Sequence, residues 1–253
     1  MRRGRCLLVT IWGVDTLKEK IYTIPLTDAF AEDSECPFCV LERKLEEEAV
    51  EYALGASMME PDSRVVSNEK GFCRRHFTMM GNLSKALPLG LVLDTHLDHV
   101  VKQLEAAAQT QPARGMFKKS NSAREEMLSV FNKVNESCAI CDKINGTLSK
   151  FAQTFWMMLA AEDDFREKVL AGKGFCLPHV ALLLETAPLE LSGSKLERFT
   201  GEVAKLELDN LKRVGEDVNW FTKKFDYRNQ DAPWKTSKDA LPRTMEKLAK
   251  FQP

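Results

Sequence analysis

The phrase GFCRRH at residues 71–76 returns as GFCLPH at 174–179, and each is preceded by a closely spaced cysteine pair, CPFC at 36–39 and CAIC at 138–141. The second copy follows at an offset of 102 residues for the cysteine pairs (36 to 138) and 103 for the GFC phrases (71 to 174). Six of the seven cysteines and two of the four histidines fall in this pattern. One CxxC arises by chance easily; four matched blocks in register do not. The repeat predicts an internal duplication, with a helical segment between the cysteine pair and the GFC phrase in each copy.

A CxxC turn brings two thiolates to one point, and the Cys-x-x-His of each GFC phrase adds a third thiolate and an imidazole. Three sulfurs and one nitrogen suit tetrahedral zinc and leave no position open for a substrate. They do not suit magnesium or calcium, which prefer oxygen. A c-type haem would need a histidine directly after the cysteine pair, where Val40 and Asp142 stand. The expectation is two Zn2+ ions, one per copy: Cys36, Cys39, Cys73 and His76 in the first, Cys138, Cys141, Cys176 and His179 in the second. Pro37 and Pro178 put ligand blocks at helix starts, where the positive end of the helix favours a thiolate. Phe72 and Phe175 are then placed to pack near the sites and exclude water. Cys6 has no counterpart. CxxC redox centres remain an alternative use of the same residues.

Periodicity elsewhere is mainly helical. Residues 40–60 carry an apolar stripe of Leu41, Leu45, Ala49, Tyr52, Ala56 and Met59, with the glutamates mostly opposite and Pro61-Asp62 as the stop. Residues 73–109 are helical with a break near Pro88. Residues 110–121, TQPARGMFKKSN, read as a boundary, and Ser122 with Glu125 forms a capping box opening the next helix. A helix follows the second cysteine pair through LSKFAQTFWMMLA, a short one covers DDFREKVL, and LPHVALLLETA starts the next. A long helix runs from about Ser192 to Tyr227, and a last one is capped by Thr236 or Ser237. Strand-like alternation is limited to CLLVTIW and KIYTI. The predicted fold is all-α: two duplicated helical modules, each with a three-Cys, one-His site, plus a long C-terminal helix and tail. The expected divisions are a poorly structured extension at 1–20, modules at 21–110 and 121–190, and a packing helix and tail at 191–253.

Thirty-six basic against 37 acidic side chains give a net charge of −1, which argues against a broad nucleic-acid or anionic-membrane surface. The apolar run from Cys6 to Val14 is too short to span a bilayer, which takes about 20 residues. The cytoplasm is therefore the expected location, where paired cysteines serve more often as metal ligands or redox thiols than as disulfides.

Two further groups are candidates for chemistry. DTHLDH sets His96 and His99 about one helical turn apart beside Asp94 and Asp98, a weak catalytic or second-metal constellation. Glu60, Asp62 and Arg64, and in the tail Asp226, Tyr227, Arg228, Trp234 and Lys238, could line a polar pocket; locking of the tail by ion pairs and ring packing is the favoured reading. The Met58-Met59, Met79-Met80 and Met157-Met158 pairs read as core filling.

Taken together, CPFCVLE, VEYALG, MEPDSR, GFCRRH, THL, GFCLPH and FDYRN...PW..SKDA resemble a family of bacterial proteins of unknown function found mainly among anaerobic Gram-positive bacteria. The likeness runs from about Ile21 to Leu248 and singles out the eight Cys and His ligands with Tyr227, Arg228 and Trp234. Because no activity is established for that family, the resemblance implies no reaction. The sequence supports a structural-zinc protein acting through binding or regulation toward an unknown protein or small-molecule partner. The alternatives are a metal-dependent enzyme centred on His96/His99 and a zinc or thiol redox sensor.

Overall fold

The computed structural model describes residues 13–110 and 122–250. Its described residues form α-helices joined by short turns, and the order repeats. The first copy contains α1 (Gly13–Ala29), α2 (Pro37–Ala53), α3 (Pro61–Lys70), α4 (Arg74–Asn82) and α5 (Ala86–Ala108). The second contains α6 (Ala123–Glu136), α7 (Ala139–Ala161), α8 (Asp163–Leu170), α9 (Leu177–Glu190) and α10 (Gly193–Lys223), and α11 (Ala240–Ala249) closes the chain. In both copies the CxxC opens the second helix and the GFC phrase opens the fourth. The fold is all-α and internally duplicated.

Several local expectations need correction. KIYTI is helical, inside α1, because Leu26 and Ala29 are fully buried on one side of the helix and Tyr22 packs edge-on against Phe151 at 5.3 Å. Tertiary burial outweighs the β-branched preference there. The helix from the first CxxC stops at Ala53, because Gly55 turns the chain into a 3-10 segment, Ala56–Met59, and Pro61 then opens α3 rather than ending α2. The break expected near Pro88 lies at Leu83–Lys85, where Ser84 adopts φ 53°. Pro88 itself sits in the first turn of α5, where its missing N–H would have had no helical partner. The Ser122–Glu125 capping box is present, whereas α11 is preceded by Asp239 rather than capped by Thr236 or Ser237. CLLVTIW and nearly all of the 110–121 segment lie outside the described residues. The expected N-terminal extension is helical from Gly13 onward.

The chain divides into two compact units, Met1–Glu42 with Thr147–Pro253 and Arg43–Gly146. The cuts fall inside α2 and α7, not at 110–121. This division departs from modules at 21–110 and 121–190, because each unit takes its helices from both sequence copies.

In the first unit an aromatic cluster forms the core. Phe155 lies 5.1–6.1 Å from the rings of Phe30, Phe38, Trp156, Phe165 and Phe175, mostly edge-to-face, a geometry that adds to plain area burial. Trp156 satisfies its indole N–H by donating to Leu183 O at 2.7 Å. The C-terminal tail is locked onto α10. Lys224 Nζ donates to the carbonyls of Asn229, Gln230 and Ala232 at 2.6–2.7 Å and stands 5.3 Å from the Trp234 ring, which packs on Phe221. Asp226 caps the 3-10 turn Tyr227–Asn229 and pairs with Arg228, while Tyr227 and Lys238 are exposed. The Lys224, Trp234 and Asp226 contacts therefore secure the tail.

In the second unit α5 packs against α3 and α6, with Val50, Leu54, Phe72, Met80 and Val92 buried.

Phe155→Ala should cost about 3–5 kcal/mol by cavity formation, read as a fall in denaturant midpoint. Tyr227→Ala, at a side chain 79% exposed, should leave the midpoint within about 0.5 kcal/mol.

Candidate metal centres

Two turns build each centre. Cys36, Cys73, Cys138 and Cys176 each directly precede a helix, α2, α4, α7 and α9, so their sulfurs lie where backbone N–H groups point outward unpaired. The amide of Cys141 donates to Cys138 Sγ at 3.5 Å, one such contact. The second cysteine of each CxxC and the histidine of each CxxH follow one turn later on the same helix.

The eight ligands assemble as two quartets, but in the crossed combination. Cys36 and Cys39 of the first copy join Cys176 and His179 of the second, and Cys73 and His76 join Cys138 and Cys141. The expected pairing within each copy does not form. A CxxC and a CxxH turn are chemically the same in both copies, so the choice of partner is made by packing, and packing exchanges the CxxC helices.

In the first quartet His179 Nδ1 lies 3.3, 3.5 and 3.1 Å from the sulfurs of Cys36, Cys39 and Cys176, and Cys39 Sγ is 3.6 Å from Cys176 Sγ. In the second, His76 Nδ1 lies 3.2, 3.2 and 3.5 Å from Cys73, Cys138 and Cys141, and Cys73 and Cys141 are 3.8 Å apart. These separations are far beyond a disulfide bond of about 2.05 Å, and the six cysteines are free.

Both imidazoles use Nδ1 toward the sulfurs and turn Nε2 toward a glutamate of α2. His76 Nε2 is 3.1 Å from Glu46 Oε1, and His179 Nε2 is 3.2 Å from Glu42 Oε2, the latter off hydrogen-bond alignment. A carboxylate behind the imidazole holds the proton on Nε2 and frees Nδ1 as a ligand atom. Arg75 in turn holds Glu46 through a two-bond fork at 2.5 Å, and Lys250 holds Glu42 at 2.9 Å. Neither glutamate was a sequence candidate. The signal was available: residues 36, 39, 42 and 46 follow one face of a helix, so glutamates at 42 and 46 continue the ligand side of α2.

Other side chains position the ligand turns. Lys247 of α11 is fully buried and donates to Glu35 O at 2.8 Å, Phe175 O at 3.0 Å and Lys173 O. It thereby ties the residue before Cys36 to the turn before Cys176. Glu207 accepts from Phe175 N at 2.8 Å, and Glu35 pairs with Arg213 and Arg243. In the second quartet Ala139 N donates to Gly71 O at 3.0 Å and Ser137 Oγ donates to Lys70 O at 2.6 Å. Those two bonds set Cys73 beside Cys138.

The electrostatics are those of crowded thiols. Hydrogen bonds from Cys36 and Cys39 hold the Cys176 thiol far below its usual range, while Cys176, Cys36 and burial drive Cys39 far above it. Burial opposes charging of His179, but the Cys176 and Cys36 sulfurs and Glu42 outweigh it and raise the imidazole to about 11. The first quartet thus calls for a positive charge at its centre, as a proton on Nδ1 or as a metal ion in its place. In the second quartet burial lowers His76 against the pull of Glu46, and burial with Cys138 raises Cys141. Cys73 is lowered: burial opposes this, but the His76 amide and the sulfurs of Cys141 and Cys138 prevail. Both donor sets fit a metal ion. They differ in access: all four residues of the first are buried, whereas Cys73 and Cys141 of the second are partly exposed.

The histidine–aspartate group on α5 is not gathered into a site. His96 Nδ1 donates to Asn68 O at 2.8 Å, and its ring lies against Gly71, where a Cβ would stand 2.5 Å from Nε2. His99 Nε2 is 2.8 Å from Gln103 Nε2, and Asp98 pairs with Lys102. Among the described residues these side chains and Asp94 form no metal-holding cluster. Glu60 accepts from Tyr52 and Ser63, while Asp62 and Arg64 border a cavity.

Fold and centres define a helical protein in which a duplicated unit presents two three-Cys, one-His clusters able to chelate metal. Residues 17–253 match a family of unknown function (DUF6062), and the chain belongs to that family. No curated protein and no solved structure matches it.

The crossed pairing has a direct test in metal content. Cys36→Ala with His179→Ala removes one quartet and should retain one ion, whereas Cys36→Ala with Cys73→Ala should retain none; pairing within copies would reverse the two outcomes. Gly71→Ala should destabilise by at least about 2 kcal/mol, because φ 57°, ψ −153° is glycine territory and the added carbon meets His96. Thermal unfolding measures it.

Proposed function

We propose that the chain is a two-zinc protein in which both ions are structural, and that it acts by binding or regulation rather than by catalysis at the ions. The observation that carries this reading is the closure of each quartet: four donors surround one point, and the imidazole is backed by a carboxylate. A zinc tetrahedron with Zn–S of about 2.3 Å and Zn–N of about 2.0–2.1 Å has edges of about 3.8 Å between sulfurs and 3.5–3.6 Å from sulfur to nitrogen. The sulfur–sulfur separations of 3.6 and 3.8 Å and sulfur–nitrogen separations of 3.1–3.5 Å lie near those edges. Such ions supply on the order of 10 kcal/mol or more of folding free energy. Free thiols suit a reducing compartment, which supports a cytoplasmic setting. Among the described residues no helix is long and apolar enough to cross a membrane.

One observation favours a sensing role for the second quartet. Cys73 and Cys141 are partly exposed and their sulfurs are 3.8 Å apart. An oxidant reaching them would join the pair and expel the ion. The separate contacts of His96, His99 and Asp98, with Asp94 outside any metal-holding cluster among the described residues, give the enzyme alternative no comparable support.

Elemental analysis of the purified chain should find two zincs. Mild hydrogen peroxide should release one before the other, followed with a chromophoric zinc chelator, and Cys176→Ala should unfold the first unit without that treatment. Protein that folds to full thermal stability with no transition metal bound would overturn the zinc reading. Simultaneous release of both ions would overturn the sensing role alone.

A further inference from the structure

The unit Arg43–Gly146 contains a cavity of about 350 Å3 that the metal centres do not use. Its floor is apolar: Ala49 and Ala53 of α2, Phe72, Val92 of α5, and Ala139 and Ile140 of α7. The volume falls in the range of small-molecule pockets, and an apolar hollow of that size forfeits contacts that a close-packed interior would make. Polar groups collect at its edge. Arg64 Nη1 makes one long hydrogen bond, 3.4 Å to Met58 O, and no carboxylate pairs with Arg64 among the described residues. Lys143 Nζ stands 4.1 Å from the centre of the Tyr52 ring. Asp62 is the one acid in the lining, and the nearby Glu60 carboxylate accepts from Tyr52 and Ser63 and attracts Lys143.

We propose that this cavity binds a small amphiphile with an apolar body and one anionic end, and that its occupancy is coupled to metal at the adjoining quartet. The body would lie on the floor, where only apolar side chains are offered. The anionic end would meet Arg64, the guanidinium at the edge that no carboxylate pairs among the described residues. Coupling follows from chain continuity. Phe72 directly precedes Cys73, and Ala139 and Ile140 lie between Cys138 and Cys141, so three floor residues sit on the two ligand turns. The Ala139–Gly71 hydrogen bond joins those turns. A metal ion and a bound amphiphile would each order the same backbone, so each lowers the ordering cost met by the other. The coupling rests on the zinc reading; the cavity does not.

Decanoate, with decan-1-ol as its uncharged counterpart, probes the site on the full-length chain after its zinc content has been measured. Calorimetry should show one saturable decanoate site and at least about tenfold weaker binding of the alcohol. Val66→Trp, on the cavity edge in α3, should abolish binding with circular dichroism unchanged, and Arg64→Met should remove the preference for the acid. Decanoate should also slow chelator extraction of one of the two zincs several-fold. Absence of saturable binding, or binding untouched by a folded Val66→Trp variant, overturns the cavity site. Equal binding of acid and alcohol, or a preference surviving Arg64→Met, overturns the anionic end, and unchanged zinc extraction overturns the coupling. A chain that carries no zinc defeats the proposed function, while its decanoate titration still decides for or against the cavity.

Discussion

Everything in this fold is arranged around helix N-termini that meet in pairs. At each meeting point three sulfurs and one imidazole nitrogen come within 4.8 Å of one another, a crowding that repels if the sulfurs ionise and has no cation. The opposed shifts within the first quartet, Cys176 down and Cys39 up, express that conflict: neighbouring thiols share protons because they cannot all be charged. A divalent ion at such a point would remove the conflict and turn the crowding into a crosslink. Since α2 meets α9 and α7 meets α4 at these points, each crosslink would close a long stretch of chain, where loop closure is most costly in the unfolded state.

The surroundings show how much structure is spent on holding such points still. Glu42 and Glu46 fix the imidazole tautomers, and Arg75 and Lys250 fix the glutamates. Around the first quartet the support reaches the C-terminus, where buried Lys247 takes the carbonyls of both ligand turns. Removing its charge would take a donor from those carbonyls and a neighbouring cation from Glu207 in a dry interior, a mutual dependence that explains how α11 is integral to a centre whose Cys and His residues lie far upstream. The tail lock at Lys224 and Trp234 carries the chain from α10 to α11.

The clustered Cys and His residues, the duplication and the mainly helical character were legible in the sequence because each depends on local spacing. Pairing was not. Two CxxC turns and two CxxH turns can combine within copies or across them with the same coordination chemistry at each point, and only the packing of α2 and α7 decides. The glutamates of α2 were passed over for a related reason. As charged residues beside an apolar stripe they looked solvent-facing, yet Glu46 is buried because His76 and Arg75 compensate it. DTHLDH was ambiguous from sequence, with a structural role the stronger reading: i,i+3 histidines are compatible with a metal site and with His96 lying against Gly71, where the structure places it. KIYTI shows the limit of residue preference, since Leu26 and Ala29 gain more from burial on a helix than the β-branched residues lose.

Duplication gave this chain two copies of one donor set, and their environments have since diverged in a way that suits different work. All four residues of the first quartet are buried: Phe38 lies 5.7 Å from the His179 ring, Phe175 enters the aromatic cluster, and Glu35, next to Cys36, pairs with Arg213 and Arg243. The second keeps two cysteines within reach of solvent and shares its ligand turns with a cavity wall. The same four side chain types are therefore all buried in one unit and partly exposed in the other, and the difference lies in what covers them rather than in which residues they are.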